Sequence, residues 1–187
     1  MQAQTAVVSV PSLTGRRVFA VLLGVAVVAI AAQVAIPLPG TPVPMTLQPL
    51  AVLIVGGLLG PRLGAASLLL YLALGAAGLP IFTPFGAPGV ARLFGPTGGY
   101  LLAYPIAAYA VGRLAGDGRR WARLGLAVLA GLALIHLGGL AQLLIITHSL
   151  RDAARLGTWP FLLGDLAKLI IAGAILRPAL SPLRARL

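Results

Sequence analysis

The sequence contains no cysteine, no asparagine, one lysine and only three acidic residues, all aspartates. Without cysteine there is no disulfide, no zinc–thiolate site, no iron–sulfur cluster and no thiol nucleophile. Charge of either sign is scarce. Only 9% of the 187 residues are charged, whereas a soluble domain of ordinary composition carries about 25%. So few charged side chains cannot cover a water-facing surface. What fills their place is apolar: 59% of the chain is hydrophobic. The covering solvent is therefore lipid, and the unit of reading becomes the apolar run of about 20 residues that spans a bilayer as a helix.

The formal net charge is +11, from thirteen arginines and one lysine against the three aspartates. A basic stripe could signal nucleic acid. Here the arginines instead flank apolar runs, as they do when they fix a membrane protein's orientation, so no nucleic-acid partner is expected. Arg16 and Arg17 precede the first run, 18–36, in the manner of a twin-arginine export signal. That run is longer than a signal peptide's apolar region, and more membrane segments follow, which favours an uncleaved first span.

Five further runs follow, at about 46–59, 64–79, 98–114, 124–147 and 159–176. Pro37, Pro39, Pro42 and Pro44 make a stiff, extended loop after the first. Thr46 suits the N-cap of the second span, and Gly60-Pro61-Arg62 makes a tight turn before the third. Residues 81–96 form the longest loop, rich in glycine, proline and phenylalanine, with Arg92 as its one charge; such a loop is seldom idle. Residues 149–158 read as a polar loop. The expected fold is thus an all-α integral membrane protein of six transmembrane helices. Residues 1–187 form one transmembrane domain, with both termini cytoplasmic. Ten arginines then lie on the inner flanks, and Arg92, Arg151 and Arg155 lie outside, which is a positive-inside bias.

The most informative residues are Asp165 and Lys168, within the last run. An ionisable group inside a membrane helix costs about 2.5–3.5 kcal/mol on insertion scales, yet the chain's only lysine stands there beside an aspartate. Their i, i+3 spacing puts both on one helical face with Phe161 and Ala172. The pair either pins the bundle by neutralising itself or holds a ligand. At ~1.5 Å per residue the two lie about 9 and 13 Å below the outer end of the span. Thr46, Gln48, Tyr100 and Arg92 fall at a similar level, outlining an outward-facing polar pocket under an aromatic lid. Arg92 and Lys168 exceed Asp165 by one positive charge, which suits a monoanion, and arginine grips carboxylates in paired hydrogen bonds. A small carboxylate with an apolar middle and an amide-like head meets these demands. His136, in the fifth run, reads as a packed or interhelically hydrogen-bonded residue.

Motifs of chemistry are lacking. There is no HExxH, no GxSxG and no P-loop around Lys168, and no nucleophile–base pair within the spans. We therefore expect no enzyme, no metal and no cofactor. Ala20 and Gly24 form a small-xxx-small pair that permits close helix contact.

Six segments carry a family resemblance, in order from about Val18 to Leu176. They are Val43-Pro44-Met45-Thr46-Leu47-Gln48, Leu58-Leu59-Gly60-Pro61-Arg62-Leu63-Gly64, Tyr71-Leu72-Ala73-Leu74-Gly75, Gly78-Leu79-Pro80-Ile81-Phe82, Gly95-Pro96-Thr97-Gly98-Gly99-Tyr100 and Gly164-Asp165-Leu166-Ala167-Lys168. Together they resemble the BioY biotin transporters, the substrate-binding S components of energy-coupling-factor transporters. The resemblance implies a six-helix fold, biotin as the transported ligand and a prokaryotic plasma membrane. It implies as partners a transmembrane coupling protein and two cytoplasmic ATPase subunits. It assigns Asp165 and Lys168 to biotin's ureido ring and Arg92 to its carboxylate. It adds Gln48, Tyr71, Phe82, Gly98 and Tyr100 to Thr46 as pocket residues. Ala20 and Gly24 become the docking motif for the coupling protein, with Gly24 where the family has alanine. Any contact the family makes through asparagine is replaced or missing here. The alternatives are an S component for another small anionic vitamin, transport of biotin without partners, a membrane enzyme acting on lipid headgroups, and a structural subunit without ligand.

Overall fold

The computed structural model describes residues 13–185 and 187. Helix α1, Leu13–Gln33, is apolar from Val18 to Ala32 and carries no acidic residue in its first turn. It stops short of the expected Ile36 because the chain is diverted. Ala35–Ile36 (β1) pairs antiparallel with Met45–Thr46 (β2), Ala35 opposite Thr46 and Ile36 opposite Met45. This two-residue ladder closes the proline-rich loop between them, whose prolines cannot continue a helix.

Helix α2, Gln48–Ala76, is broken at Gly60, where φ is 79° and ψ is 179°. That backbone region is open essentially to glycine alone. Beyond the break, Gly64 lies against the Cα of Gly56. Eight residues of straight helix would separate them by about 12 Å, so the chain doubles back and α2 is two antiparallel limbs, 48–59 and 61–76. Thr46 does not cap α2 from the Ncap position, which Leu47 occupies. Its Oγ1 nevertheless accepts the Gln48 backbone N–H at 3.2 Å. Gly60→Ala is expected to cost about 1–3 kcal/mol through the strained conformation, read as a lower unfolding temperature in detergent.

Helix α3, Ala91–Phe94, is a single turn within the long loop. Helix α4, Gly98–Leu114, matches the expected fourth run, and α5, Trp121–Thr147, begins three residues before the expected fifth. The segment read as a polar loop is instead helix α6, Leu150–Gly157, capped by Ser149 Oγ accepting the Asp152 N–H at 3.3 Å. Eight residues are too few for a periodicity to stand out, and the cap was the available signal. A 3₁₀ turn, Trp159–Phe161, leads into α7, Leu162–Arg184, which continues well past the expected Leu176 into the basic tail.

α4 is central, packed most extensively against α2 on one side and α5 on the other. Lipid supplies no hydrophobic drive between helices, so close approach through small residues holds them. Gly56 of α2 meets the backbone of Ala108, and Gly112 meets the backbone of Gly60 and Pro61. Gly99 and Gly138 bring α4 and α5 together backbone to backbone. At one end of the bundle Arg184 bonds the carbonyl oxygens of Gly57, Gly112 and Gly116, at 2.6–3.0 Å. At the other end the loops gather. Thr41 Oγ1 donates to Leu156 O at 2.6 Å, Gln33 to Phe82 O at 3.1 Å, and Gln142 to Phe94 O at 3.1 Å.

By length and composition alone, α1, α5 and the runs 48–76 and 150–184 are long and apolar enough to cross a membrane, the run 48–76 being divided at Gly60. Their outward faces carry large apolar side chains such as Phe19, Ile30, Leu126 and Leu163, which lipid can cover. The chain is a multi-pass, mostly helical membrane protein.

Candidate functional site

Asp165 lies in the first turn of α7, where the helix dipole favours a negative charge. Lys168 follows one turn on. Both are buried, 4% and 6% exposed, and Lys168 Nζ donates to Asp165 Oδ1 at 2.9 Å. The second carboxylate oxygen, Oδ2, is 2.6 Å from His136 Nε2 on α5. A buried carboxylate is tolerable only when its lone pairs are met, and here two helices meet them. The sequence placed Asp165 and Lys168 together and read His136 as a packed or interhelically hydrogen-bonded residue; the interhelical bond is present, to a partner the sequence did not name. The available signal was that few ionisable groups lie in the spans, so each had reason to seek another.

This cluster borders a cavity at the end of the bundle where the loops gather. Thr46, Gln48, Phe82, Tyr100, Asp165 and Lys168 all line it, so six of the expected residues converge. Val43, Pro44, Ile135 and Phe161 supply apolar wall, and Thr83, Thr97 and Tyr104 add positions the sequence had not singled out. A larger, more open groove between α4 and α5 is lined by Leu102, Ile106, Leu137 and similar residues, with Gln142 its one polar amide. It lacks convergent polar groups and is no rival.

Three expected pocket residues serve differently. Tyr71 is fully buried behind the wall. Its hydroxyl accepts from Gln48 Nε2 at 2.6 Å and donates to Ile81 O at 3.0 Å, and its ring meets Phe82 edge-on at 5.4 Å. It therefore orients two lining residues and does not itself line the cavity. Gly98 lies against the backbone of Leu93 and lets α4 start tightly behind α3. Arg92 is the third.

The Arg92 guanidinium does not border the cavity. It is folded into its own loop, only 5% exposed. Nε donates to Ala87 O at 2.7 Å, Nη2 to Thr83 O at 2.8 Å, and Nη1 to Thr83 Oγ1 at 2.6 Å and also to Phe85 O. Burial draws its pKa below the ordinary arginine value, yet a guanidinium stays charged in proteins. Carbonyl oxygens exert a strong pull on a desolvated fork of donors, and here they hold the guanidinium as a staple across residues 83–92. Tyr100 closes another seam. Its hydroxyl donates to Gly157 O at 2.5 Å and ties α6 to α4.

Ala20 and Gly24, expected as a docking motif, lie on the packed side of α1. Ala20 is buried, and a side chain at Gly24 would meet Ser67 on the second limb of α2. The small residues are used inside the bundle, and the exposed stripe of α1 is Phe19, Leu22, Leu23 and Ile30.

A helical membrane bundle with a buried ion cluster at the floor of an apolar-walled cavity defines a membrane-embedded binding protein for a small amphipathic molecule. The comparisons specify which. The model of the BioY family matches residues 3–185, and the chain belongs to that family. It is 39% identical over 153 residues to a Pyrococcus horikoshii protein named "Probable biotin transporter BioY", covering 82% of this chain and 89% of that one. It is 36% identical over 150 residues to "Biotin transporter BioY" of Thermotoga maritima, covering 80% and 87%. Among solved structures, that of the S-component for biotin from an ECF-type ABC transporter superposes with a TM-score of 0.80 at 27% identity, covering 90% of this chain and 94% of that one.

Proposed function

We propose that this protein is the biotin-binding membrane component of a vitamin uptake transporter and not an enzyme. It takes biotin from the outer side and delivers it inward. The observation that carries the reading is the His136–Asp165–Lys168 cluster on the cavity wall of a BioY-family chain. Biotin has a cyclic urea head, a thioether ring and a carboxylate tail. The urea offers N–H donors to Asp165 and a carbonyl to the remaining hydrogens of Lys168 Nζ. Phe82, Ile135 and Phe161 suit the ring. The tail then lies toward Thr83, which Arg92 holds from behind.

In this reading the single domain crosses a prokaryotic plasma membrane six times, the limbs of α2 counting separately. Both termini are cytoplasmic, and the loop-gathering end faces outward. A transmembrane coupling protein and two cytoplasmic ATPases supply the energy, since the chain has no nucleotide-binding loop of its own. The coupling protein meets the exposed stripe of α1, because Ala20 and Gly24 are already occupied.

Calorimetric titration of detergent-purified protein tests the reading: biotin should give saturable heat, and riboflavin and thiamine none. Absence of any biotin heat overturns it. The stapled loop makes a second expectation. Arg92→Lys keeps the charge but loses the planar fork, leaving loop carbonyls without donors. Biotin should then dissociate at least about tenfold faster, since hydrogen bonds from charged donors are worth about 1.5–3 kcal/mol each. A stopped-flow release experiment reads this directly, and an unchanged rate would exclude the staple as the lid's fastening.

A further inference from the structure

Tyr71, Tyr100 and Tyr104 are all buried, at 0%, 8% and 3% exposed, and a buried tyrosine hydroxyl ordinarily finds a partner. Two of the three do: Tyr71 is bonded to Gln48 and Ile81, and Tyr100 to Gly157. Among the described residues nothing bonds the Tyr104 hydroxyl. It is not sealed in, because the one fully enclosed side-chain nitrogen or oxygen without a partner among those residues is His136 Nδ1. The Tyr104 oxygen therefore keeps open surface, and that surface lies in the cavity which the residue lines. Gln48, Thr83, Asp165 and Lys168 line the same cavity, are buried as deeply, and are all engaged with protein partners. Phenylalanine would fill the same volume without an unmet hydroxyl, so packing alone gives this oxygen no use.

Position narrows what it can meet. α4 and α7 each pack against α2 and α5 but hardly against each other, so they form opposite walls. Both helices start at the end where the loops gather. Tyr104 stands six residues beyond Gly98, and Lys168 six residues beyond Leu162, each about 9 Å down its helix. The hydroxyl thus faces the level of the Asp165–Lys168 pair from across the cavity. A cyclic urea carries its two N–H groups on opposite sides of the carbonyl, pointing apart, so one carboxylate cannot take both. With Asp165 on one N–H and Lys168 on the carbonyl, the second N–H needs an acceptor on the facing wall, and a phenolic oxygen is one. We propose that the Tyr104 hydroxyl oxygen accepts the second ureido N–H of bound biotin. This rests on the assignment of the cavity to biotin. It makes Tyr104 a specificity residue: a ligand whose head lacks that N–H is held from one wall only.

The competing role is structural, with the hydroxyl serving only the fold or a trapped water. Tyr104→Phe removes one oxygen and keeps the ring. Wild type and variant would each be melted without ligand, then titrated with biotin and with biotin methylated at either ureido nitrogen. The variant should melt no lower than wild type, because the oxygen bonds nothing in the protein, yet bind biotin about three- to tenfold more weakly, the consequence of one lost neutral hydrogen bond. With one of the two methylated ligands, which has no N–H to offer Tyr104, wild type and variant should bind alike. Equal biotin affinity in wild type and variant overturns the proposal, and would leave the hydroxyl to water. A loss that accompanies a lower melting temperature, or that is the same for biotin and both methylated forms, overturns it too. Tyr104→Met, which keeps apolar volume without the oxygen, serves in the same cycle if the phenylalanine variant does not fold. Wild type that binds no biotin at all would instead strike the functional assignment itself.

Discussion

Asp165→Ala and Lys168→Ala should each weaken biotin binding by about 2 kcal/mol or more, at least about thirtyfold in Kd, because each leaves a buried charge without its partner. Removing Asp165 strands the Lys168 ammonium, only 6% exposed, and takes away the acceptor for His136 Nε2. Removing Lys168 leaves the carboxylate with His136 alone. The double variant has neither charge, so its loss should be smaller than the sum of the two. Asp165→Asn adds a useful contrast: it keeps the shape and two polar atoms but leaves Lys168 uncompensated, so its affinity should also fall. Calorimetry on folded, monodisperse protein measures all four. If either alanine variant bound biotin as wild type does, the ion cluster would be a structural pin and the ligand would be held elsewhere.

Gly99→Val should have the largest effect on the fold. A β-carbon at Gly99 would strike the backbone oxygen of Gly138, and one at Gly138 would strike that of Gly99. Neither obstacle is a flexible side chain that can swing aside, so α4 and α5 would have to separate along their length. Overpacking typically costs about 1–3 kcal/mol, and a backbone-to-backbone contact belongs at or above the top of that range. The separation would also move Tyr100 away from Gly157 and open the cavity wall, so biotin binding should fall with stability. Gly125→Ala is the matched control. It lies on α5, the helix that carries Gly138, and its added carbon meets nothing within 4 Å, so stability should hold or rise by up to about 1 kcal/mol from helix propensity. Thermal unfolding in detergent, with and without biotin, separates the two. Equal melting of Gly99→Val and wild type would refute the close crossing.

The correspondences and departures between sequence and structure have physical reasons. α4 matched its expected bounds because Gly95-Pro96 precedes its start and Gly116 and Gly118 follow its end. The break at Gly60 was legible because only glycine followed by proline and a charge interrupts so apolar a run. α6 was missed because eight polar-faced residues resemble a loop. The staple made by Arg92 was not legible, because sequence shows a lone charge but not the carbonyls that surround it. The packing of Ala20 and Gly24 inside the bundle was not legible, because small-residue spacing says a helix can be approached closely without saying by which neighbour.

The amino-acid order alone determined that this chain lives in lipid, since its charges are too few for water, and that the Asp165–Lys168 pair matters, since a bilayer makes ionisable groups costly to keep. Both follow from composition and one-dimensional spacing. Which side chains face the cavity, that His136 completes the cluster from another helix, and that Arg92 fastens a loop were decided only by tertiary structure. Those depend on how helices cross, and the crossings are fixed by backbone contacts between glycines far apart in the chain.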